Sequence, residues 1–135
     1  MYDLHNNIKV LAQHVKQEAA NTAYVASGDR LGFLSVEFLI ALGTIADVDA
    51  TFTVLVEESS DNANWSAVSD DFLIGVEAMG ILFSSDNKTG KIGYAGTKRY
   101  VRCSLTPAAN GSAMDGALLM IGGHPEKMPQ STQLV

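Results

Sequence analysis

Apolar and polar side chains alternate through the middle of the chain. Residues 34–42 and 51–57 place every second side chain on an apolar face, and both are rich in β-branched and aromatic residues. Such alternation is typical of strands with one buried face. A third alternating segment lies near residues 99–106. We therefore predict that the core contains Val36, Phe38, Ile40, Phe52, Val54, Val56, Val101, Cys103 and Leu105.

Other segments extend this pattern. Residues 117–123, "ALLMIGG", are continuously apolar and predict a central strand or one covered on both faces. Residues 72–85 predict one or two strands interrupted by glycine, and the polar stretches between strands predict loops. We expect Trp65 to fold back onto the sheet and Pro107 to end its strand, because proline cannot donate to a ladder.

The chain ends are less regular. In residues 1–20, Ile8, Leu11 and Val15 share a helical face, whereas Ile8 and Val10 also alternate as in a strand, so a helix, a strand or an arm stays open. Residues 22–28 predict a short strand, and residues 124–135 a loose polar tail. The pattern predicts an all-β single domain over residues 1–135, an antiparallel β-sandwich or jelly roll with extended terminal segments.

Composition agrees with one globular domain. The chain has 135 residues, 47% of them hydrophobic, and a net charge of −6, which argues against disorder. It contains no apolar run of the roughly 20 residues that a membrane span needs. The N-terminus lacks the features of a signal peptide, so we expect the protein in a cytoplasm or in something assembled there. One cysteine excludes an internal disulfide.

No motif in the sequence predicts catalysis. The three histidines and Cys103 lack the spacing of metal ligands. The acids of residues 47–49 and 70–71 lack the alternating pattern and bidentate glutamate of a calcium loop. Phosphate-loop and nucleophile-elbow motifs are also missing. We predict no enzyme, no metal site and no cofactor.

Positive charge is concentrated in one segment. Five of the nine Lys and Arg residues lie between 88 and 102, whereas residues 31–87 contain ten acids and no base. An acidic domain repels nucleic acid, so we do not expect DNA or RNA as a partner. Ion pairs across strands of one subunit and complementary charge across an interface both stay open. The interface candidates of this segment are Lys98, Arg99, Tyr100 and Arg102.

Several stretches together resemble a family of small virion structural proteins of tailed phages and prophages. They are the opening "MYDLHNNIKV", "SVEF", "DATFTVLVEES", "IGYAGTKRYVR" and the closing "GHP", and they cover roughly residues 1–125. Members look like capsid decoration, or cement, proteins. The resemblance implies binding to the major capsid protein, homo-oligomers, no membrane partner, and a place on the capsid surface after assembly in the host cytoplasm.

The resemblance also directs attention to the termini. We expect residues 1–20 and 124–135 to make intersubunit or capsid contacts, with His124 and Pro125 as interface candidates. Two alternatives stay open. One is a head–tail completion or tail-associated protein. The other is a carbohydrate-binding β-sandwich in which Trp65, Tyr94 and Tyr100 form a sugar platform.

Overall fold

The computed structural model describes residues 3–128, which form two antiparallel sheets packed face to face. Sheet A has the strand order β1-β10-β3-β8-β6. Sheet B has the order β2-β9-β4-β5, and β7 also pairs with β4. The strands are β1 (Ile8–Glu18), β2 (Tyr24–Asp29), β3 (Phe33–Leu42), β4 (Thr51–Ser59), β5 (Ser66–Ala67), β6 (Leu73–Ile74), β7 (Ile81–Leu82), β8 (Thr89–Tyr94), β9 (Tyr100–Ala108) and β10 (Met114–Pro125).

The path of the chain is that of a jelly roll. The strands β1, β3, β8 and β10 lie in sheet A, and β2, β4, β7 and β9 lie in sheet B, so the chain passes repeatedly from one sheet to the other. Each sheet then contains strands distant in sequence, as expected of two interleaved Greek keys. The predicted all-β sandwich is confirmed.

The core lies between the inner faces of the two sheets. All nine predicted core residues are buried there, and Phe38, Val56, Val101 and Cys103 are fully enclosed. The core also includes side chains that alternation did not identify, among them Tyr24, Ile92, Leu118 and Met120. Burial raises the pKa of the Cys103 thiol to about 12, so this cysteine behaves as a small hydrophobic residue.

Residues 8–18 form a strand, and neither an α-helix nor a separate arm, after a single 3₁₀ turn at His5–Asn7. β1 pairs with β10 from Ile8↔Gly123 to Glu18↔Met114, with a bulge between Val10 and Ala12. Its backbone is paired along one side with β10, the second strand of sheet A, which makes β1 an integral part of the sandwich. The arm alternative is therefore wrong for residues 8–18.

Two boundary predictions are wrong. Pro107 does not end its strand, because β9 continues to Ala108 and Pro107 lies opposite Phe52. The pairing of β2 stops at Leu105, so one side of β9 is open at Pro107 and needs no donor there.

The predicted loose tail also begins too early. His124 and Pro125 belong to β10, where Pro125 pairs with Phe33, and the Glu126 N–H donates to the Gly32 carbonyl at 2.8 Å. The backbone of residues 124–126 is therefore held against the turn between β2 and β3. Residues 129–135 of the predicted tail lie outside the described residues.

The remaining local predictions hold. Residues 72–85 form two strands of two residues each, and residues 43–50 are a loop. Both edges of sheet A are unsuited to pairing with another sheet: β1 carries a bulge and two lysines, and β6 is only two residues long. The faces of this sheet, rather than its edges, are therefore the surfaces to examine for binding.

Candidate interface surfaces

The basic segment is divided between the two sheets: Lys91 lies on β8 of sheet A, whereas Arg102 lies on β9 of sheet B and is paired on its outer face. Strand register places Arg102 directly opposite Glu57, and its Nε donates to Glu57 Oε2 at 2.6 Å. The guanidinium also lies over the Trp65 ring, 4.3 Å from the ring centroid. Both the charge and one planar face of Arg102 are therefore occupied within the subunit.

Arg99, three residues earlier in the sequence, is also paired within the subunit. Its Nε and Nη2 donate to Asp29 Oδ2 at 3.0 and 2.7 Å, and its guanidinium lies 5.1 Å from the Tyr100 ring centroid. These hydrogen bonds hold the pKa of Asp29 below its ordinary value. Ion pairs within one subunit are thus confirmed for both arginines. Asp29, unlike Glu57, lies just outside the base-free segment 31–87.

Lys98 differs from the two arginines. It is exposed, and within residues 3–128 no carboxylate forms an ion pair with it. Its backbone is held, since its N–H donates to the Tyr94 hydroxyl at 2.9 Å and its carbonyl accepts from Arg30 Nε at 2.6 Å. A partner for the Lys98 side chain at an interface stays a prediction.

The three aromatic residues considered as a sugar platform are separated by the fold. Tyr94 is buried in sheet A, and its hydroxyl donates to Glu58 at 2.5 Å. Burial and the neighbouring Glu58 raise the pKa of Tyr94 to about 12. Trp65 and Tyr100 are half-buried at sheet B, and each has a guanidinium over its ring. Only Trp65 and Tyr100 are thus available to a ligand.

His124 and Pro125 lie far from the basic segment in sequence, and His124 lines a groove on the outer face of sheet A. The groove has a volume of about 730 Å³ and is mainly apolar. Ile8 of β1, Ile121 of β10 and Ile74 of β6 contribute to its walls. Its rim includes three strongly exposed side chains, Leu4, Ile74 and Met128, at 70%, 63% and 60% exposure. We call this feature the sheet A groove.

The conformation of His124 is unusual. Its φ of +50° lies in the left-handed region, which few residues other than glycine adopt, although histidine is enriched among them. Its Nδ1 lies 2.9 Å from Ser35 Oγ, a hydrogen bond that connects the ends of β10 and β3. The turned backbone and this bond fix the imidazole beside the groove.

Glu37 lies in the wall of the sheet A groove, in the middle of β3. Its Oε2 lies over the backbone at Gly93, where a Cβ would be only 2.9 Å away. Burial raises the pKa of Glu37, while the charge of Lys91 opposes this shift. Its carboxylate has no hydrogen-bond or ion-pair partner among residues 3–128.

Glu37 was not among the site residues predicted from the sequence, although its position in β3 gives one indication of its role. It is the one charged residue in the outer row of β3, which begins with Ser35 and continues with the apolar Leu39 and Ala41. An acid between apolar neighbours on an outward face is easily taken as solvated charge. The groove that makes it unusual is formed by β6 and the terminal segments, which are distant in sequence.

The histidines do not converge on a metal site. Within the described range, no group of three or more histidine, cysteine, aspartate or glutamate side chains is placed to hold an ion. His14 has a structural role: its Nδ1 accepts the Val25 N–H at 3.1 Å, so its Nε2 carries the proton and donates to Glu18 at 2.5 Å. The bond from Val25 to His14 joins β2 of sheet B to β1 of sheet A.

The described chain also contains no helix that is long and apolar enough to cross a membrane.

No protein-family model matches the sequence, and no curated protein matches it. Solved structures with a similar fold include CBM32-3 from a family 31 glycoside hydrolase of Clostridium perfringens, with 16% identity, a TM-score of 0.42 and coverage of 88% of this chain and 76% of that one.

Another is the C-terminal domain of a chitobiase from Bacteroides fragilis, with 14% identity, a TM-score of 0.41 and coverage of 90% and 96%. A third contains the CBM22-1 and GH10 modules of a Clostridium thermocellum xylanase, with 8% identity, a TM-score of 0.38 and coverage of 99% and 26%. Similarity at this level does not transfer a ligand or partner to this chain.

Proposed function

We propose that the protein is a virion structural protein of a tailed phage, a decoration protein that binds the major capsid protein on the outer capsid and stabilises the head as a homo-oligomer. The observation that carries the proposal is the sheet A groove with its rim of exposed apolar side chains. A contiguous exposed apolar surface of this kind is typical of a site where another protein binds. The sequence resemblance supplies the identity of the partner.

The electrostatics support a protein partner over a nucleic acid. Arg99 and Arg102 already pair with acids of the same subunit, which leaves only the three lysines of the basic segment to meet a phosphate. The chain as a whole has a net charge of −6. The jelly-roll fold is compatible with the proposal, since it occurs in viral capsid proteins, but it also occurs in lectins.

The test is the presence of the protein on particles. Phage particles purified from the source organism should contain the chain, and cryo-electron microscopy should place it at repeated positions on the capsid faces. A single ring at the portal vertex would instead favour a head–tail completion protein. Particles that lack the chain altogether would contradict both virion functions.

A pair of variants links that test to the groove. Ile74→Asp places a charge on a side chain that is 63% exposed, so it should leave folding intact and reduce occupancy on particles. Asp49→Asn changes an exposed residue in the loop that follows the opposite end of β3, and it should leave occupancy unchanged. Equal occupancy of the parent and Ile74→Asp would remove the groove from the docking surface.

Carbohydrate binding is the second candidate. The observation in its favour is that Trp65 stands beside the hydrogen-bonded pair Arg102–Glu57, because an aromatic ring next to polar donors and acceptors suits a sugar. A glycan array would test it directly. Binding that is lost in Trp65→Ala, with folding retained, would support this candidate, and an array without signal would contradict it.

A further inference from the structure

We propose that the sheet A groove binds an extended segment of a partner protein that presents a lysine or arginine between aliphatic side chains. The cation pairs with the Glu37 carboxylate, and the aliphatic neighbours pack on the apolar walls. The inference goes beyond the proposed function, because it states the chemistry of the partner segment and holds whether or not that partner is a capsid protein.

The first argument is the charge of Glu37. Its carboxylate is half-buried in the groove and has no ion pair or hydrogen bond with residues 3–128. The fold satisfies comparable acids elsewhere: Glu57 pairs with Arg102, and Asp29 with Arg99. The charge of Lys91 offsets part of the cost of burying this carboxylate but forms no ion pair with it, and an arriving cation removes the remaining cost.

The second argument is the composition of the groove. Its charged lining residues are Asp3, Glu37 and His124, so it contains two acids and no lysine or arginine. A hydrogen bond from Asn6 holds the pKa of Asp3 below its ordinary value, which keeps that acid ionised as well. The groove is therefore complementary to a cationic occupant rather than an anionic one.

The apolar walls distinguish a side-chain cation from a metal ion. A calcium ion takes six to eight oxygen ligands, and among the described residues no group of three or more histidine, cysteine, aspartate or glutamate side chains is placed to hold an ion. A lysine or arginine needs one carboxylate for its head and apolar surface for its methylene stem. Ile74, Ile121 and Ile8 supply that surface.

The shape of the groove favours an extended segment. It lies on the face of a sheet, between the turn before β1, the ends of β3 and β10, and the short edge strand β6. Its volume of about 730 Å³ accommodates several side chains rather than one. Leu4 and Met128 at the rim add apolar contacts for residues on either side of the cation.

The experiment uses a displayed library of random twelve-residue peptides, selected on the immobilised full chain. Selections on the parent and on Asp49→Asn should both enrich lysine or arginine flanked by aliphatic residues. Synthetic copies of the selected peptides should bind Glu37→Gln about tenfold more weakly, as expected for the loss of a charge-assisted hydrogen bond. Replacing the basic residue of the peptide by glutamine should weaken binding to the parent by a similar factor and have little further effect on Glu37→Gln.

Three results would overturn the inference: selection of no peptide, selected peptides without basic residues, or equal binding to the parent and Glu37→Gln. A thermal melt of Glu37→Gln at or above the parent midpoint confirms that folding is intact. Particle occupancy separates this inference from the proposed function. Basic peptides that require Glu37, together with particles that lack the chain, would support the inference and contradict the capsid function.

Discussion

Two regions of this sandwich treat charge in opposite ways. At β9, the two arginines of the basic segment are paired inside the subunit: Arg102 with Glu57 of β4, and Arg99, which precedes β9, with Asp29 of β2. On the outer face of sheet A, Glu37 stands in an apolar groove without such a partner among residues 3–128. We call the two paired arginines of the basic segment the closed region, and the sheet A groove with Glu37, which is unpaired within the described residues, the open region.

The difference shows that the density of charge in a sequence is a poor guide to a binding surface. A strand in the middle of a sheet has neighbours on both sides, so its long side chains find partners at fixed register positions. Glu37 also lies on a strand with neighbours on both sides, but its register partners Ile121 and Gly93 carry no charge. In our proposal, the ion pair of Glu37 is supplied by another molecule.

The largest effect should come from the core that supports both regions. Phe52→Ala should lower the free energy of unfolding by about 3–5 kcal/mol, because it leaves a cavity between the sheets. Urea denaturation followed by fluorescence measures the change. A variant that unfolds at nearly the parent midpoint would contradict the assignment of Phe52 to the core.

The closed region can be opened by reversing one charge. Arg102→Glu removes the pair with Glu57 and the contact with Trp65 and places two carboxylates opposite each other, so it should cost about 1–2 kcal/mol. Adding Glu57→Arg should restore part of the loss in a double-mutant cycle. Lys98→Glu makes the same change of charge at an exposed site and should stay within about 0.5 kcal/mol of the parent.

In the open region, removing the charge of Glu37 should preserve or raise stability, whereas reversing the charge of Arg102 lowers it. Burial raises the pKa of Glu37 in the folded protein, so ionised Glu37 destabilises the fold at pH values above that pKa, and this cost disappears as the pH falls. Glu37→Gln should therefore melt at or above the parent temperature at pH 7. The difference should shrink as the pH falls towards 4. A variant clearly less stable than the parent at pH 7 would mean that Glu37 has a stabilising partner.

The last prediction is that the protein does not bind nucleic acid tightly. Fluorescence anisotropy with duplex and single-stranded DNA at low salt should show no tight association, since Arg99 and Arg102 are already paired. Binding to phosphates would decline with a log–log salt slope of about −0.9 for each phosphate neutralised. Salt-sensitive binding that Arg102→Glu abolishes would show that the closed region opens to a polyanion.

The fold was largely predictable, and the groove was not. Alternation identified the inward rows of β3, β4 and β9, because burial of one face requires a period of two. It could not decide between helix and strand for residues 8–18, whose pattern is interrupted by the bulge at Val10. It also misplaced the ends of β9 and β10, since Pro107 and Pro125 are tolerated only where neighbouring strands leave an open side.

By itself the sequence determined the all-β class, the core of the sandwich, the burial of Cys103 and the supply of acids for the two arginines of the basic segment. These follow from residue type and local period, which act over a few neighbouring positions. Only the tertiary structure decided which acids those arginines meet, that Tyr94 faces the interior, and that Glu37 stands in a groove between β6 and the two ends of the chain. Those outcomes depend on strand register and on contacts between residues distant in sequence, such as Ser35 and His124, which are 89 positions apart, and no local pattern encodes them.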